Sequence, residues 1–482
     1  MIRRIVLLKS HEWLAEGWQK RSFAPAAANL ERQVKVKGVE FRSAFHPVPA
    51  FTRFAVGPQT AAFKYGARAG RRVSPQEGFA VVGLFDSQED AERLKLDKQD
   101  DVVGVFADPR VEACPMSYCA SNAVGDFEDV RRALGLTRSI RDKISGRGVR
   151  VAVVDTGITG SHPGPDGEPL QKSLDVTRAF PAGYKAGTTA INHGTMVAFD
   201  TLIAAPEAKL LDYALLQSTA GSWSSFLSDG LAAFADLMEL LRTKPGPLVV
   251  NNSWGLFDSA DDAPIGSPEN YSANPEHPFN QIVGALVNAG ADVLFAAGNC
   301  GADCPDGRCG SNDVGPGNSI HGANSHPSVI SVAAVTVKKA RLGYSSQGPG
   351  GLSDRKPDIA AYSHFSGSGV YQADGGTSAA SPVAAGVVAA LRQAWRTIAP
   401  AELKGVIQRT AEPVSGGWNY DVGYGILSAE RAWAEKSLRV KRQVRRVGPP
   451  KKPTASRGAW MLVPNTPDQL EKHVAVLRRR RG

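Results

Sequence analysis

Residues 149–155 read VRVAVVD, and 247–253, 291–298 and 328–335 read PLVVNNS, ADVLFAAG and SVISVAAV. Each run is apolar on successive residues rather than on alternate ones, as in strands buried on both faces of a parallel sheet. KLLDYALL at 209–216 has the same character. Between these runs, FLSDGLAAFADLMELL (226–241) sets Phe226, Phe234, Leu237 and Leu241 near helical spacing. NQIVGALVNAG (280–290) does the same with Ile282, Leu286 and Ala289. Strand and helix alternate, which predicts an α/β protein with a mostly parallel central sheet and helices on both faces.

The 482 residues are enough for one large domain and smaller flanking segments, and 50 glycines imply many tight turns. No apolar run reaches the roughly 18 residues of a membrane span, so no membrane partner is expected. The start, MIRRIVLLKS, offers only IVLL before Lys9, shorter than the ~7–15 residues of a secretory core. Cytoplasmic location is therefore the default expectation, with another route of export left open. Charge is uneven: residues 436–482 carry 14 Lys+Arg against 2 acids, residues 1–110 carry 18 against 13, and the overall +9 leaves the middle at −8. The basic balance belongs to the ends and says little about what the core binds. The tail lacks aromatic interleaving, so a solvated tail is preferred to a nucleic-acid site.

Three segments are expected. Residues 1–120 contain a strand-helix-strand α+β unit at about 76–113; residues 121–435 hold the α/β core; residues 436–482 form a basic tail with a linker's Pro and charge content. Five cysteines, 114, 119, 300, 304 and 309, cannot all pair internally. Without a secretory signal reduced thiols are the default. The cluster at 300–309 reads as a loop staple or as free thiols, because a zinc site would need a fourth ligand that is not assignable. The acids of the insert 256–279 bring calcium into view, but their spacing is not that of an ordered ligand set, and a solvated rim loop is preferred. No metal ligand is assigned and no cofactor is required.

In α/β sheets chemistry gathers at the carboxyl ends of strands, and three such ends carry polar groups: Asp155, the NSWG of 252–255, and Asn299. Acyl transfer by serine needs a base, a carboxylate to orient it and donors for the oxyanion. Alone, Asp155 would be a turn or cap residue, and His193, in NHGTMVAF, a structural histidine; His162, in SHPGP, is its rival in a proline-rich loop. Ser378 lies in DGGTSAASP (374–382) ahead of a helix. The serine there is an N-cap by one reading and a nucleophile beside the positive helix end by another. Pro382 is expected in that helix's first turn.

Taken together, VAVVDTGI, NHGTMVA, APEAKLLDYALL, NNSWG, FAAGN, YSSQGP, KPDIAAY and GGTSAASP resemble, in order, the blocks of the subtilisin-like serine proteases across about 145–430. The order Asp, His, Ser fits that family. The resemblance implies that Asp155 orients, His193 is the general base and acid, and Ser378 is the nucleophile. Asn299 and the Ser378 N–H would form the oxyanion hole. It implies that Gly221, Ser222 and Trp223 on one side, and Ser253, Trp254 and Gly255 on the other, clasp an extended protein or peptide substrate by strand addition. It also implies that the unit before residue 113 is an inhibitory propeptide, with residues 110–125 threading the site and cut there. A permanently attached domain is the alternative. Two departures, Phe199 in place of a glycine and AYSHF (361–365) in place of APG, keep a non-catalytic peptide-binding protein open, and the same triad would also serve an esterase.

Overall fold

The computed structural model describes residues 1–34, 37–50, 78–98, 100–114, 122–217, 224–414 and 416–435. The basic tail, and Gly221, Ser222 and Trp223, lie outside these.

The five runs that open the sequence reading are strands of one sheet. Seven parallel strands stand in the order Ile359–Tyr362, Ile330–Val335, Asp292–Ala296, Leu248–Asn252, Arg150–Asp155, Lys209–Ala214, Leu174–Phe180. Val151 faces Val249 on one neighbour and Leu210 on the other. Because strand side chains alternate between faces, Val151 and Val153 enter one core with Met196, Val197, Val383 and Val387, while Ala152 and Val154 enter the other with Leu231, Phe234 and Phe279. The first core is covered by the helices His193–Ala204 and Thr377–Ala394, the second by Leu227–Thr243 and Pro278–Asn288. This is the α/β arrangement expected. The edge strand Leu174–Phe180 is half exposed, which is why it lacks the apolar run that marks the others.

After Arg150–Asp155 the chain lays down the edge strand Leu174–Phe180, fills the gap with Lys209–Ala214, then crosses to the other side with Leu248–Asn252. Strand order reverses there, and the carboxyl ends at such a point leave a crevice. Asp155 and Asn252 sit at its lip.

The N-terminal unit is larger than strand, helix, strand. Its antiparallel sheet runs Val39–Phe41, Gly78–Phe85, Ile2–Lys9, Val102–Ala107, with Val48–Ala50 also paired to Gly78–Phe85. IVLL lies in a central strand, and Ile5, Val6, Leu7 and Leu8 are all buried. Val6 and Leu8 meet Leu14, Leu30 and Leu94 of the unit's own helices, Glu12–Lys20, Ala24–Gln33 and Gln88–Asp97. Ile5 and Leu7 share a core with Leu231 and Phe234 of Leu227–Thr243. Both sheets belong to one compact unit, Met1–Lys436.

Candidate active site

Each candidate catalytic side chain stands at the start or end of a regular element, where backbone geometry fixes it. Asp155 closes the strand Arg150–Asp155, and His193 opens the helix His193–Ala204. The Asp155 Oδ1 lies 2.8 Å from His193 Nδ1 and also accepts the Thr156 N–H at 2.7 Å. A carboxylate at Nδ1 holds the ring proton there and leaves Nε2 as the basic nitrogen. Gly194 lets the helix end come this close: a Cβ there would stand 2.3 Å from the Gly157 carbonyl oxygen. Its N–H donates to Thr156 Oγ1 at 2.8 Å.

Ser378 is the second residue of the helix Thr377–Ala394. Gly376 before it has φ 74°, a left-handed conformation suited to glycine. Its peptide is held at both ends: its N–H donates to Tyr344 Oη at 3.0 Å, and its carbonyl accepts Ser363 Oγ–H at 2.7 Å. Ser363 belongs to AYSHF, so that departure supports the turn that presents Ser378. Phe199, the other departure, is buried edge-on against Phe127, with ring centroids 5.5 Å apart. Pro382 is not in the first turn, because the helix already begins at Thr377. Lacking an N–H, it leaves the Ser378 carbonyl without its helical donor, and Ser253 Oγ donates to that carbonyl at 3.1 Å instead.

Asn299 is oriented by Thr377, whose N–H and Oγ1–H both donate to its Oδ1 at 2.9 Å. The amide Nδ2 is thereby turned to the cleft.

The cleft is occupied by the chain itself. Arg110–Ala113 forms the middle strand of a three-stranded antiparallel sheet, between Ser224–Phe226 and Trp254–Gly255. Cys114 continues it, donating its N–H to the Ser253 carbonyl at 3.1 Å. The Cys114 carbonyl oxygen then lies 2.5 Å from Ser378 Oγ and 3.2 Å from Asn299 Nδ2. Ser253, Trp254 and Gly255 thus border the strand through their backbone. The Trp254 ring turns into the core and donates to the Val154 carbonyl at 3.0 Å.

The Cys114 side chain is buried against Phe257 and Cys300. About 10 Å³ remains in the pocket beside it, between walls that include Leu256, Gly298 and His321. Cys300 is joined to Cys309 in a disulfide, so the loop-staple reading holds for this pair, whereas Cys114 is a free thiol. Burial pushes that thiol up to about 12, so it sits in the pocket as a neutral group. His321 Nε2 meets Asp313 Oδ1 at 3.0 Å at the pocket's end. Cys114 falls in the segment 110–125 expected to thread the site; Thr377, Tyr344 and Ser363 lie within the motifs GGTSAASP, YSSQGP and AYSHF, whose residue types alone do not single them out as supports of the site.

The acids of the insert 256–279 are engaged within the fold. Asp262 accepts the N–H groups of Ala263, Tyr271 and Ser272 and the Ser272 hydroxyl, and Glu269 meets Arg4 and Gln88 of the N-terminal unit. Among the described residues no group of three or more His, Cys, Asp or Glu is placed to hold a metal.

The model of the Subtilase family matches residues 146–425. Fervidolysin of Fervidobacterium pennivorans is 28% identical over 327 residues, which span 62% of this chain and 42% of fervidolysin. Subtilisin DY of Bacillus licheniformis is 27% identical over 307 residues, 60% of this chain and 94% of that protein. The crystal structure of fervidolysin, described as a keratinolytic enzyme related to subtilisin, superposes with a TM-score of 0.55 at 18% identity, over 90% of this chain and 60% of that one. The chain is therefore a member of the subtilase family of serine peptidases.

Proposed function

We propose that this chain is a serine endopeptidase that cuts extended peptides through an acyl-enzyme at Ser378, and that residues 110–114 occupy its cleft as a substrate would. One observation carries the reading: the Cys114 carbonyl oxygen lies between Ser378 Oγ and Asn299 Nδ2 on a strand paired along both edges. His193 takes the hydroxyl proton as Ser378 attacks the carbonyl carbon, and Asp155 stabilises the imidazolium that results. The developing oxyanion is held by Asn299 Nδ2 and by the Ser378 N–H at the helix start. His193 then gives its proton to the leaving nitrogen, and water attacks the acyl-enzyme by the same steps in reverse. Losing one such donor costs about 10²–10³ in turnover, a figure that comes from subtilisin itself, and Asn299→Ala should show a loss of that order.

The bond presented is Cys114–Pro115. Its nitrogen belongs to a proline and carries no hydrogen, which makes it a crowded leaving group. We expect the wild-type chain to release slowly a fragment ending at Cys114, Pro115→Ala to release it faster, and Ser378→Ala to stay whole. Intact mass measurement reads all three, and identical masses for wild type and Ser378→Ala would reject self-processing. A fluorophosphonate probe tests the activity itself. Absence of labelling in protein freed of its N-terminal segment would favour a binding protein, and cleavage of small esters without peptides would favour an esterase.

A further inference from the structure

The loop closed by Cys300 and Cys309 carries Arg308, which reaches across the cleft to the bound strand. Its Nη1 donates to the Glu112 carboxylate at 2.8 Å and to the Ala113 carbonyl at 2.9 Å. The guanidinium is held from behind by the Asp306 carboxylate, with Nε–Oδ1 at 3.0 Å and Nη2–Oδ2 at 3.2 Å. Its Cζ lies over the Phe257 ring, 3.9 Å from the centroid. Asp306, Phe257 and the disulfide therefore fix the arginine, while both hydrogens of Nη1 face the cleft. Glu112 is the third residue before the Cys114–Pro115 bond. One hydrogen reads a backbone carbonyl that every peptide has; the other reads a side chain that only some peptides carry.

Resting on the endopeptidase reading, we infer that Arg308 is a specificity-determining residue and that the enzyme selects peptides with a carboxylate side chain at the third position before the cut. The two carboxylate oxygens of Glu112 are shared, one with Arg308 and the other with Arg110 at 3.2 Å. Arg110 travels with the strand; Arg308 belongs to the site and remains for the next substrate. A peptide with glutamine at that position keeps a neutral acceptor, whereas lysine puts a second cation against the guanidinium. A charge-assisted contact at a half-buried position is worth about tenfold in selectivity.

The test uses protein expressed as the full chain, allowed to process and then freed of the cut N-terminal segment, so that the cleft is open to added peptides. Three fluorogenic peptides differ only at the third residue before the bond, Glu, Gln or Lys, with alanine next to the bond. For the wild type, kcat/KM should fall about tenfold from Glu to Lys, with Gln between; Arg308→Gln should level the three, and Arg308→Glu should invert the order. Equal Glu-to-Lys ratios in wild type and Arg308→Gln would overturn the inference while leaving the endopeptidase reading intact. If no peptide is cut and no fluorophosphonate is taken up, it is the endopeptidase reading that fails. The contact is then judged in the uncleaved Ser378→Ala chain with Arg308→Gln, Glu112→Gln and both together. A double variant whose Tm falls no further than the single ones supports the pairing; strictly additive falls overturn it.

Discussion

The two large sheets are both apolar on both faces, yet they are completed differently. The parallel sheet is covered on each side by helices of its own segment, with His193–Ala204 and Thr377–Ala394 on one face and Leu227–Thr243 and Pro278–Asn288 on the other. The N-terminal sheet brings helices for one face only. Its other face, through Ile5, Leu7, Ala80 and Val82, leans on Leu231, Phe234, Ala235 and Met238 of Leu227–Thr243. That helix is clamped between two sheets and is buried on nearly every side. Each fully buried Leu, Ile or Phe contributes about 1.5–3 kcal/mol, so neither the sheet nor the helix face is a finished surface alone. The lesson is that the N-terminal unit is half of an interface as well as a domain. If the chain is cut after Cys114, the fragment should stay bound.

The largest way to break this arrangement is at a buried charge pair across the seam. Asp108 accepts from Arg3 Nε at 2.5 Å and from the Ser228 N–H at 2.7 Å, joining the N-terminal strand to the start of Leu227–Thr243. Asp108→Ala would leave the Arg3 guanidinium, only 10% exposed, without its anion. Removing one partner of a buried pair costs about 3–5 kcal/mol. Thermal unfolding of the Ser378→Ala chain, with and without Asp108→Ala, should show a clear fall in Tm. An unchanged Tm would mean that the seam is held by apolar contact alone.

A smaller effect is expected where the seam narrows to the Cys114 pocket. With about 10 Å³ to spare beside the thiol, Cys114→Phe overfills the site, and overpacking costs about 1–3 kcal/mol. Self-processing should slow several-fold or more, followed by mass measurement over time, while Cys114→Ala should keep a rate near that of the wild type. Faster processing of the phenylalanine variant would show that the pocket opens beyond the shape seen here.

How much of this was legible depends on how local the signal was. Strands buried on both faces announce themselves as apolar runs, which is why the central five were readable and Leu174–Phe180 was not. Asp155, His193, Ser378 and Asn299, the residues of the proposed site, stood out in the sequence because each sits in a short motif at an element's end. Ile2–Lys9 was visible only as four apolar residues, since its partners lie some 80 and 100 residues further on. Arg308 and the size of the Cys114 pocket depend on a loop, a disulfide and a strand that meet only in three dimensions. Phe199 looked like damage in the motif, but its partner, Phe127, lies outside the motif altogether.

The finest probe of the comparison is pH, through His277, where the insert meets the last residue of the N-terminal sheet. The His277 Nδ1 accepts the Phe279 N–H at 3.2 Å, so Nε2 carries the proton and donates to the Ala107 carbonyl at 2.9 Å. The ring lies between the aromatic faces and edges of Phe106 and Tyr271, with Asp262 as the nearby acid. A second proton would set two N–H groups against each other in a dry site, and burial pushes the group down to about 4. The unfolded chain, with an ordinary histidine near 6.5, binds that proton more readily. Between pH 6.5 and about 4 the unfolded state therefore holds more protons, and stability falls as pH falls. His46, at the same seam, is also pushed down to about 4 by burial and by Arg21, and His326 to about 3 by burial and its lysine neighbours. His277→Gln keeps a donor for Ala107 without the titration, so its Tm should decline less steeply than that of the wild type from pH 6.5 to 4, the residual slope coming from His46, His326 and His364, which burial also pushes down, and from carboxylates. Parallel Tm–pH curves for the two proteins would remove His277 as a contributor.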